Sequence, residues 1–397
     1  MTLKTSSTQL KECPACTSAD LRIFHEKLSI PVNSCLLLDD ADDARAFPRG
    51  DLVLAFCRSC GFIFNTAFDI GQSEYSARYE ETQGFSQRFR DFAQELATQW
   101  VERHHLQGKS VLEIGCGKGE FLVEMVKAGA GSGIGIDPSF RADRMDDPMG
   151  DRIRWIADFY GESYSDLHAD AIVCRHTLEH ISPVADFVGM MKRTIQNPET
   201  VVLFELPDVA RVLEEVAFWD IYYEHCSYFS LGSMARLFRR HGFDITDLAT
   251  EFDDQYLLLD CIPGTGTNPT LAGEDDMARL EAAVDHFEKQ YPIAIEKLRG
   301  ELRSSAANGQ RAVIWGAGSK GVSYLTTLGL QDEIGYAVDI NPFKQGMFMA
   351  GTGQEVVGPD FLAKYDPDLV VAMNPIYLAE IRAELDRIGV EANLVGV

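Results

Sequence analysis

Short runs of continuous apolar residues recur through the middle of the chain, separated by helical patterns. Residues 111–114 (V-L-E-I), 133–136 (G-I-G-I), 153–156 (I-R-W-I), 169–175 and 201–206 (V-V-L-F-E-L) each read as a strand buried on both faces. Residues 184–195 read as a helix between the last two. Such alternation predicts a parallel sheet covered by helices on both sides. Ahead of it, from Gly84, Phe85, Phe89, Phe92, Leu96 and Trp100 recur at three- and four-residue steps, giving a helix with one aromatic face used for core packing. Behind it, Ser230 is placed to cap a helix, and 244–251 with 255–262 read as a hairpin across 252–254 that closes the sheet. Residues 264–269 (G-T-G-T-N-P) are the clearest linker, 273–307 is a long amphipathic helix, and strand–helix alternation resumes at 311. The expected divisions are 1–68, 69–263 with its preceding helix, a 264–308 connector, and 309–397.

A chain of 397 residues is too long for one core, and its 46% hydrophobic and 24% charged residues are ordinary for a globular protein. The net charge of -25 offers no basic face to neutralise a phosphate backbone, so a nucleic-acid partner is not expected. A phosphorylated small molecule requires only a few cations gathered locally. No run reaches the length of a membrane span and the first residues lack the apolar core of a signal peptide, which predicts a cytoplasmic protein. Oligomeric state is not read from the sequence.

Of nine cysteines, Cys35, Cys116, Cys174, Cys226 and Cys261 are scattered singly, as reduced thiols are. The other four form two matched pairs, Cys13-Pro-Ala-Cys16 and Cys57-Arg-Ser-Cys60. Four thiolates close a tetrahedral zinc site with no position for water, so the predicted metal is structural; redox or unpaired thiols are the other reading. The chain between the pairs makes an excursion, followed by a strand at 61–65 and a loop at 71–79 that exposes Tyr75 and Tyr79.

Residues 111–119 (V-L-E-I-G-C-G-K-G) join a strand to a glycine turn and a helix. Gly115, Gly117 and Gly119 leave backbone room for a ligand, with Glu113 beside them, and Asp137 ends the next strand where a ribose is held in a doubly wound sheet. An ordinary nucleotide-binding crossover is the plainer reading. The spelling, with an acid before the glycines and another after the next strand, resembles motif I of the class I S-adenosylmethionine-dependent methyltransferases. That resemblance implies that Glu113, Gly115 and Gly117 contact the amino-acid half of S-adenosylmethionine and Asp137 its ribose. It also places Asp158 and Phe159 against adenine, although Asp158 alone reads equally as a turn or cap residue.

His176-Thr-Leu-Glu-His180 follows a strand at the ligand-binding edge of the sheet, bringing His176 toward the cofactor and His180 forward as a base or an orienting group. Residues 218–230 (F-W-D-I-Y-Y-E-H-C-S-Y-F-S) gather Tyr222, Glu224, His225 and Tyr228, able to remove a proton beside a carbonyl and hold the enolate; a packed aromatic loop is the alternative. The stretch is similar to the I-Y-H-E-H-x-S-Y-F-S motif of the bacterial deoxysugar C-methyltransferases, which act on nucleotide-linked keto-deoxysugars. The resemblance implies an N-terminal four-cysteine zinc module, a class I methyltransferase core and a C-terminal Rossmann-like domain. It puts the base on His225, with Tyr222 and Glu224 supporting and the family's second histidine on His180; Tyr228, from the same cluster, is the candidate for substrate contact. Tyr223 stands where the family has histidine, G-C-G-K-G where it has a G-S-N-D-G type loop, and His176 where it has asparagine.

Residues 311–321 (R-A-V-I-W-G-A-G-S-K-G) again read as strand, G-x-G-x-x-G and helix, with Asp339 ending the next strand. Taken alone this is a dinucleotide fingerprint. The resemblance implies instead a domain that holds the sugar nucleotide, with Lys320 and Lys344 toward its diphosphate; each lysine reads otherwise as a solvated surface residue. The leading expectation is carbon methylation of a nucleotide-linked keto-deoxysugar. O-methylation of a hydroxyl is the nearest alternative, with a hydride-transferring oxidoreductase and a non-catalytic scaffold beyond it.

Overall fold

A computed structural model describes residues 9–72, 79–145 and 149–397 and places its strands in three sheets. The first is antiparallel and built from β1 (Leu21–Pro31), β2 (Arg49–Cys57) and β3 (Ile63–Asn65). Its fourth strand, Ser227–Tyr228 (β9 in chain order), comes from the far side of the chain and pairs Tyr228 with Ile63 and Ser227 with Phe64. Tyr75 lies outside the described residues, and Tyr79, expected on the surface, is buried at 6% exposure because it turns inward under the N-terminal module.

The central sheet contains β4 (Ser110–Ile114), β5 (Ser132–Ile136), β6 (Ile153–Ile156), β7 (Ala171–Arg175), β8 (Val201–Pro207), β10 (Phe243–Glu251) and β11 (Tyr256–Pro263). Its order is β10-β11-β8-β7-β4-β5-β6, parallel except where β11 runs against both neighbours. The hairpin therefore closes the sheet as its sequence predicts. Glycines within β5 have a packing cause: a Cβ on Gly133 would meet Leu122 at 3.0 Å, and one on Gly135 would meet Trp155 at 2.6 Å. The third sheet is wholly parallel, in the order β14 (Val356–Val357), β13 (Tyr336–Val338), β12 (Ala312–Trp315), β15 (Leu369–Ala372), β16 (Asn393–Gly396).

Helices follow the caps and apolar stripes of their sequences. Ser86 caps the helix Gln87–Arg103, which buries Phe89, Leu96 and Trp100, and Ser230 caps Leu231–Arg240 through a reciprocal capping box with Ser233. The expected linker is stitched down, because Arg239 donates to the carbonyls of Gly266, Asn268 and Pro269 and to Glu274. The long helix Met277–Ala307 buries Leu280, Val284 and Phe287 in one apolar cluster with Phe24 of the N-terminal sheet and Tyr324 of the third domain. Truncating such a side chain costs about 3–5 kcal/mol, so this shared core ties the N-terminal sheet to the third domain. Among the described residues no helix is long and apolar enough to cross a membrane.

Candidate active site

The strand order reverses on either side of β4 in the central sheet and of β12 in the third sheet, and the crevice at such a switch point is where open parallel sheets bind ligands. Both glycine loops leave the sheets at these points, and both line a single cleft of about 1660 Å³.

The first loop bends because its glycines adopt positive φ, +71° at Gly115 and +53° at Gly117. At Gly115 a Cβ would also come within 2.0 Å of Thr177 Oγ1. Asp137, at the end of β5, accepts hydrogen bonds from the amides of Gly117 (2.9 Å) and Ser139 (2.6 Å), which sets the curve of the loop. Glu113 is 3% exposed, its Oε2 has no partner, and burial pushes its carboxyl up to about 8. An unsatisfied buried oxygen beside open glycine backbone fits a polar ligand group such as the amino-acid end of S-adenosylmethionine. Lys118, one of the three positions at which this loop departs from the family's, lies on the cleft wall and donates to the carbonyls of Tyr79 (2.8 Å) and Ser139 (3.2 Å).

Phe159 lines the cleft at 63% exposure, an aromatic face left open at its rim. Asp158 does not line it: its carboxylate accepts from the Phe159 amide and the Tyr164 hydroxyl, so the acid acts as the turn residue that its sequence position equally allowed. His176 lies on the cleft wall, its Nε2 2.7 Å from Glu205 and its ring edge-on to Tyr256. Glu205 is fully buried; burial alone would raise its carboxyl, but Arg175 and His176 hold it at about 2.

On the opposite side the 218–230 segment presents Tyr222 and His225 to the cleft. The His225 ring lies 4.1 Å from that of Tyr222 and 4.8 Å, edge to face, from that of His180. Burial keeps His225 well below the usual histidine range, with His180 and His176 adding to the effect, and burial lowers His180 to about 4. Both rings are thus neutral bases at pH 7. His180 Nδ1 is 3.1 Å from the Glu224 carbonyl, which fixes that ring.

Two expected contributors face elsewhere. The Glu224 side chain, fully buried, accepts from the Ser34 amide (2.9 Å), the Ser34 hydroxyl and the Tyr79 hydroxyl (3.0 Å); it ties the segment to the N-terminal module and does not reach His225. Tyr228 is absent from the cleft wall because it belongs to β9, and its hydroxyl donates to the Tyr222 carbonyl. The departure at Tyr223 is also structural: 1% exposed, it accepts from the Asp69 amide at 2.9 Å and fills the space over Gly50, where a Cβ would meet its ring at 2.4 Å.

From the third domain come Lys320 and Lys344, both on the cleft wall and ion-paired. Lys320 Nζ is 2.8 Å from Asp220, and Lys344 Nζ is 3.3 Å from Asp339. Neither is a solvated surface side chain. Asp339 repeats the device of the first loop by accepting from the Ala317 amide at 3.0 Å. No motif marks Arg144, which forks onto Glu80 at 2.7 and 2.8 Å while Asn341 of the third domain donates to the same carboxylate. Only folding brings these three together.

The four cysteines of the two C-x-x-C pairs converge, Cys13 to Cys60 at 3.7 Å and Cys16 to Cys57 at 3.5 Å between sulfurs, all buried and none in a disulfide. A tetrahedron with metal–sulfur bonds of about 2.3 Å has sulfur–sulfur edges of roughly 3.8 Å, so the cluster fits structural zinc.

Residues 85–248 match the methyltransferase domain model, and 269–393 match the C-methyltransferase C-terminal domain model. The chain is 24% identical to C-methyltransferase NovU of Streptomyces niveus, over 87% of this chain and 85% of that protein. Among solved structures it is similar to the 1,6-didemethyltoxoflavin-N1-methyltransferase of Burkholderia thailandensis (16% identity, TM-score 0.34, 43% of this chain and 78% of that one). It is also similar to magnesium protoporphyrin IX methyltransferase of Synechocystis PCC 6803 (14%, TM-score 0.35, 45% and 84%). The two domain matches fall on the two walls of the cleft in the order found in the sequence, and the chain is therefore an S-adenosylmethionine-dependent methyltransferase, similar over most of its length to a C-methyltransferase.

Proposed function

We propose that the enzyme methylates a carbon beside the carbonyl of a nucleotide-linked keto-deoxysugar, with His225 taking the proton. The observation that carries this reading is the position of His225. It is a buried, neutral imidazole between Tyr222 and His180, in a cleft walled by one glycine loop suited to S-adenosylmethionine and a second flanked by lysines. In a chain of net charge -25, Lys320 and Lys344 stand on the wall of that cleft beside its second glycine loop, two ammonium groups that suit a diphosphate.

S-adenosylmethionine, when bound, supplies a methyl group already activated on a sulfonium. Glu113, Gly115, Gly117 and His176 would hold its amino-acid end, Asp137 its ribose and Phe159 its adenine. His225 accepts the proton from the acidic carbon, the C–H electron pair moves into the enolate, and the Tyr222 hydroxyl steadies the developing oxygen charge, while His180, fixed on the Glu224 carbonyl, packs against His225 and orients it. Lys320 and Lys344 keep donors in hand beyond their carboxylate partners, since an ammonium carries three, and would meet the diphosphate. The protein's task is deprotonation and alignment.

Product analysis tests this reading. Incubation with a panel of nucleoside diphosphate-linked keto-deoxysugars should give a carbon-bound methyl, with loss of the adjacent solvent-exchangeable proton. An ether methyl would replace the reading with O-methylation, and no response to any nucleotide would remove the sugar nucleotide from it.

A further inference from the structure

When His225 gains a proton, a cation is created in a buried site that already faces Lys320 and two other histidines. That charge requires a carboxylate, and those nearby are mostly committed. Glu224 is held by Ser34 and Tyr79, Asp220 by Lys320 and Arg211, and Glu205 by Arg175 and His176. Glu179 is the exception. It lies on the cleft wall at 2% exposure, and its Oε2 has no hydrogen-bond partner. A carboxylate oxygen of Glu179 and ring nitrogens of His180 and His225 lie within 4.8 Å of one another.

We infer that Glu179 is the charge partner of His225, a positioning residue whose carboxylate balances the imidazolium formed as the substrate carbon loses its proton. The inference rests on the proposed deprotonation. The proton passes from carbon to His225, and the C–H electron pair stays with the enolate. Glu179 supplies the negative charge that makes the neutral, desolvated His225 a competent base.

The groups facing Glu179 are His176 (Nδ1 at 3.9 Å), His180 and His225, with Glu205, Cys174, Tyr222 and Cys226 acting at longer range. Burial pushes the Glu179 carboxyl up to about 8, so its ionised, assisting form becomes dominant as pH rises through that value. Glu113, on the cofactor side, is raised to a similar value, so the assignment needs a variant.

The test is deuterium exchange from solvent into a nucleoside diphosphate-linked 4-keto-6-deoxyhexose on the full-length protein. S-adenosylhomocysteine fills the cofactor site, so deprotonation is read without methyl transfer. In the wild type the rate should rise through pH of about 8. Glu179→Gln should lose that rise and slow by about tenfold to a hundredfold, and Glu179→Asp should recover part of both, with S-adenosylhomocysteine affinity unchanged throughout. If Glu179→Gln keeps the wild-type rate and profile while His225→Gln abolishes exchange, the Glu179 inference fails and the proposed function stands. A wild type that methylates without exchanging overturns both. If Glu179→Gln does not bind S-adenosylhomocysteine, the other two forms decide: a wild-type rate flat between about pH 7 and 9, or a Glu179→Asp profile identical to it, overturns the inference.

Discussion

Lys320 holds Asp220 at 2.8 Å across the boundary between the third domain and the 218–230 segment, and Asp220 also receives Arg211 at 2.7 Å. The lysine expected to meet the substrate diphosphate is therefore also a strut for the segment that carries His225. Removing it does not strand its partner, because Arg211 remains. Lys320→Ala should weaken nucleoside diphosphate binding by about tenfold to a hundredfold, the scale of one charged hydrogen bond, and leave S-adenosylhomocysteine binding unchanged. Calorimetry with each ligand separately makes the comparison.

Loss of the base should fall on turnover. His225→Gln removes the proposed base while keeping much of its volume and polarity, so kcat should drop by about 10²- to 10⁴-fold with S-adenosylhomocysteine affinity intact. Steady-state kinetics beside calorimetry reads both; a near-wild-type kcat would remove His225 from the proton transfer.

Metal analysis of protein purified without chelators should find zinc held by Cys13, Cys16, Cys57 and Cys60. Because β2 ends at Cys57 and passes its sheet through β3 to Ser227–Tyr228, stripping the metal should loosen the segment bearing His225. Activity should be lost while the central sheet still binds S-adenosylhomocysteine, which a strong chelator followed by calorimetry would show.

His25 supplies a pH test of stability. Its ring packs edge-on to Phe287 (5.3 Å) and Tyr291 (4.6 Å), and burial, helped by Lys27, lowers it to about 4. A histidine kept neutral in the fold but charged in the unfolded chain stabilises fully above about pH 6.5, and this contribution is lost as pH falls from there to about 4. The span corresponds to about 3 kcal/mol. His25→Phe should keep the packing and lose less stability than the wild type over that range, as thermal melts at a series of pH values would report.

The sequence was most informative where one element's own pattern decides its structure. The strands from β4 to β8, the β10–β11 hairpin, the Ser86 and Ser230 caps and the glycine loops all follow from local periodicity and backbone chemistry. Reading failed where the deciding contact is remote. Glu224 looked like the partner of its neighbour His225, but its carboxylate binds Ser34, 190 positions away. Tyr228 looked like a substrate contact until β3 took it as a strand, and the Asp220 that holds Lys320 at the cleft wall lies 100 positions earlier in the chain. Glu179 sits inside a motif that identifies the fold, and spacing alone does not separate its role from that of His180. Such assignments depend on tertiary pairing, which neither propensity nor spacing encodes.

The borrowed strand β9 also sets an order of events. The N-terminal sheet cannot fill its fourth position until Ser227 and Tyr228 have left the ribosome, by which point the central strands up to β8 have already been made. Until then the open edge of β3 displays unpaired backbone groups, the kind of edge that recruits other chains. The zinc-binding end of the molecule would therefore be made first and finished late, and cutting it away as a free-standing piece should yield an aggregation-prone fragment rather than a small metal-binding domain.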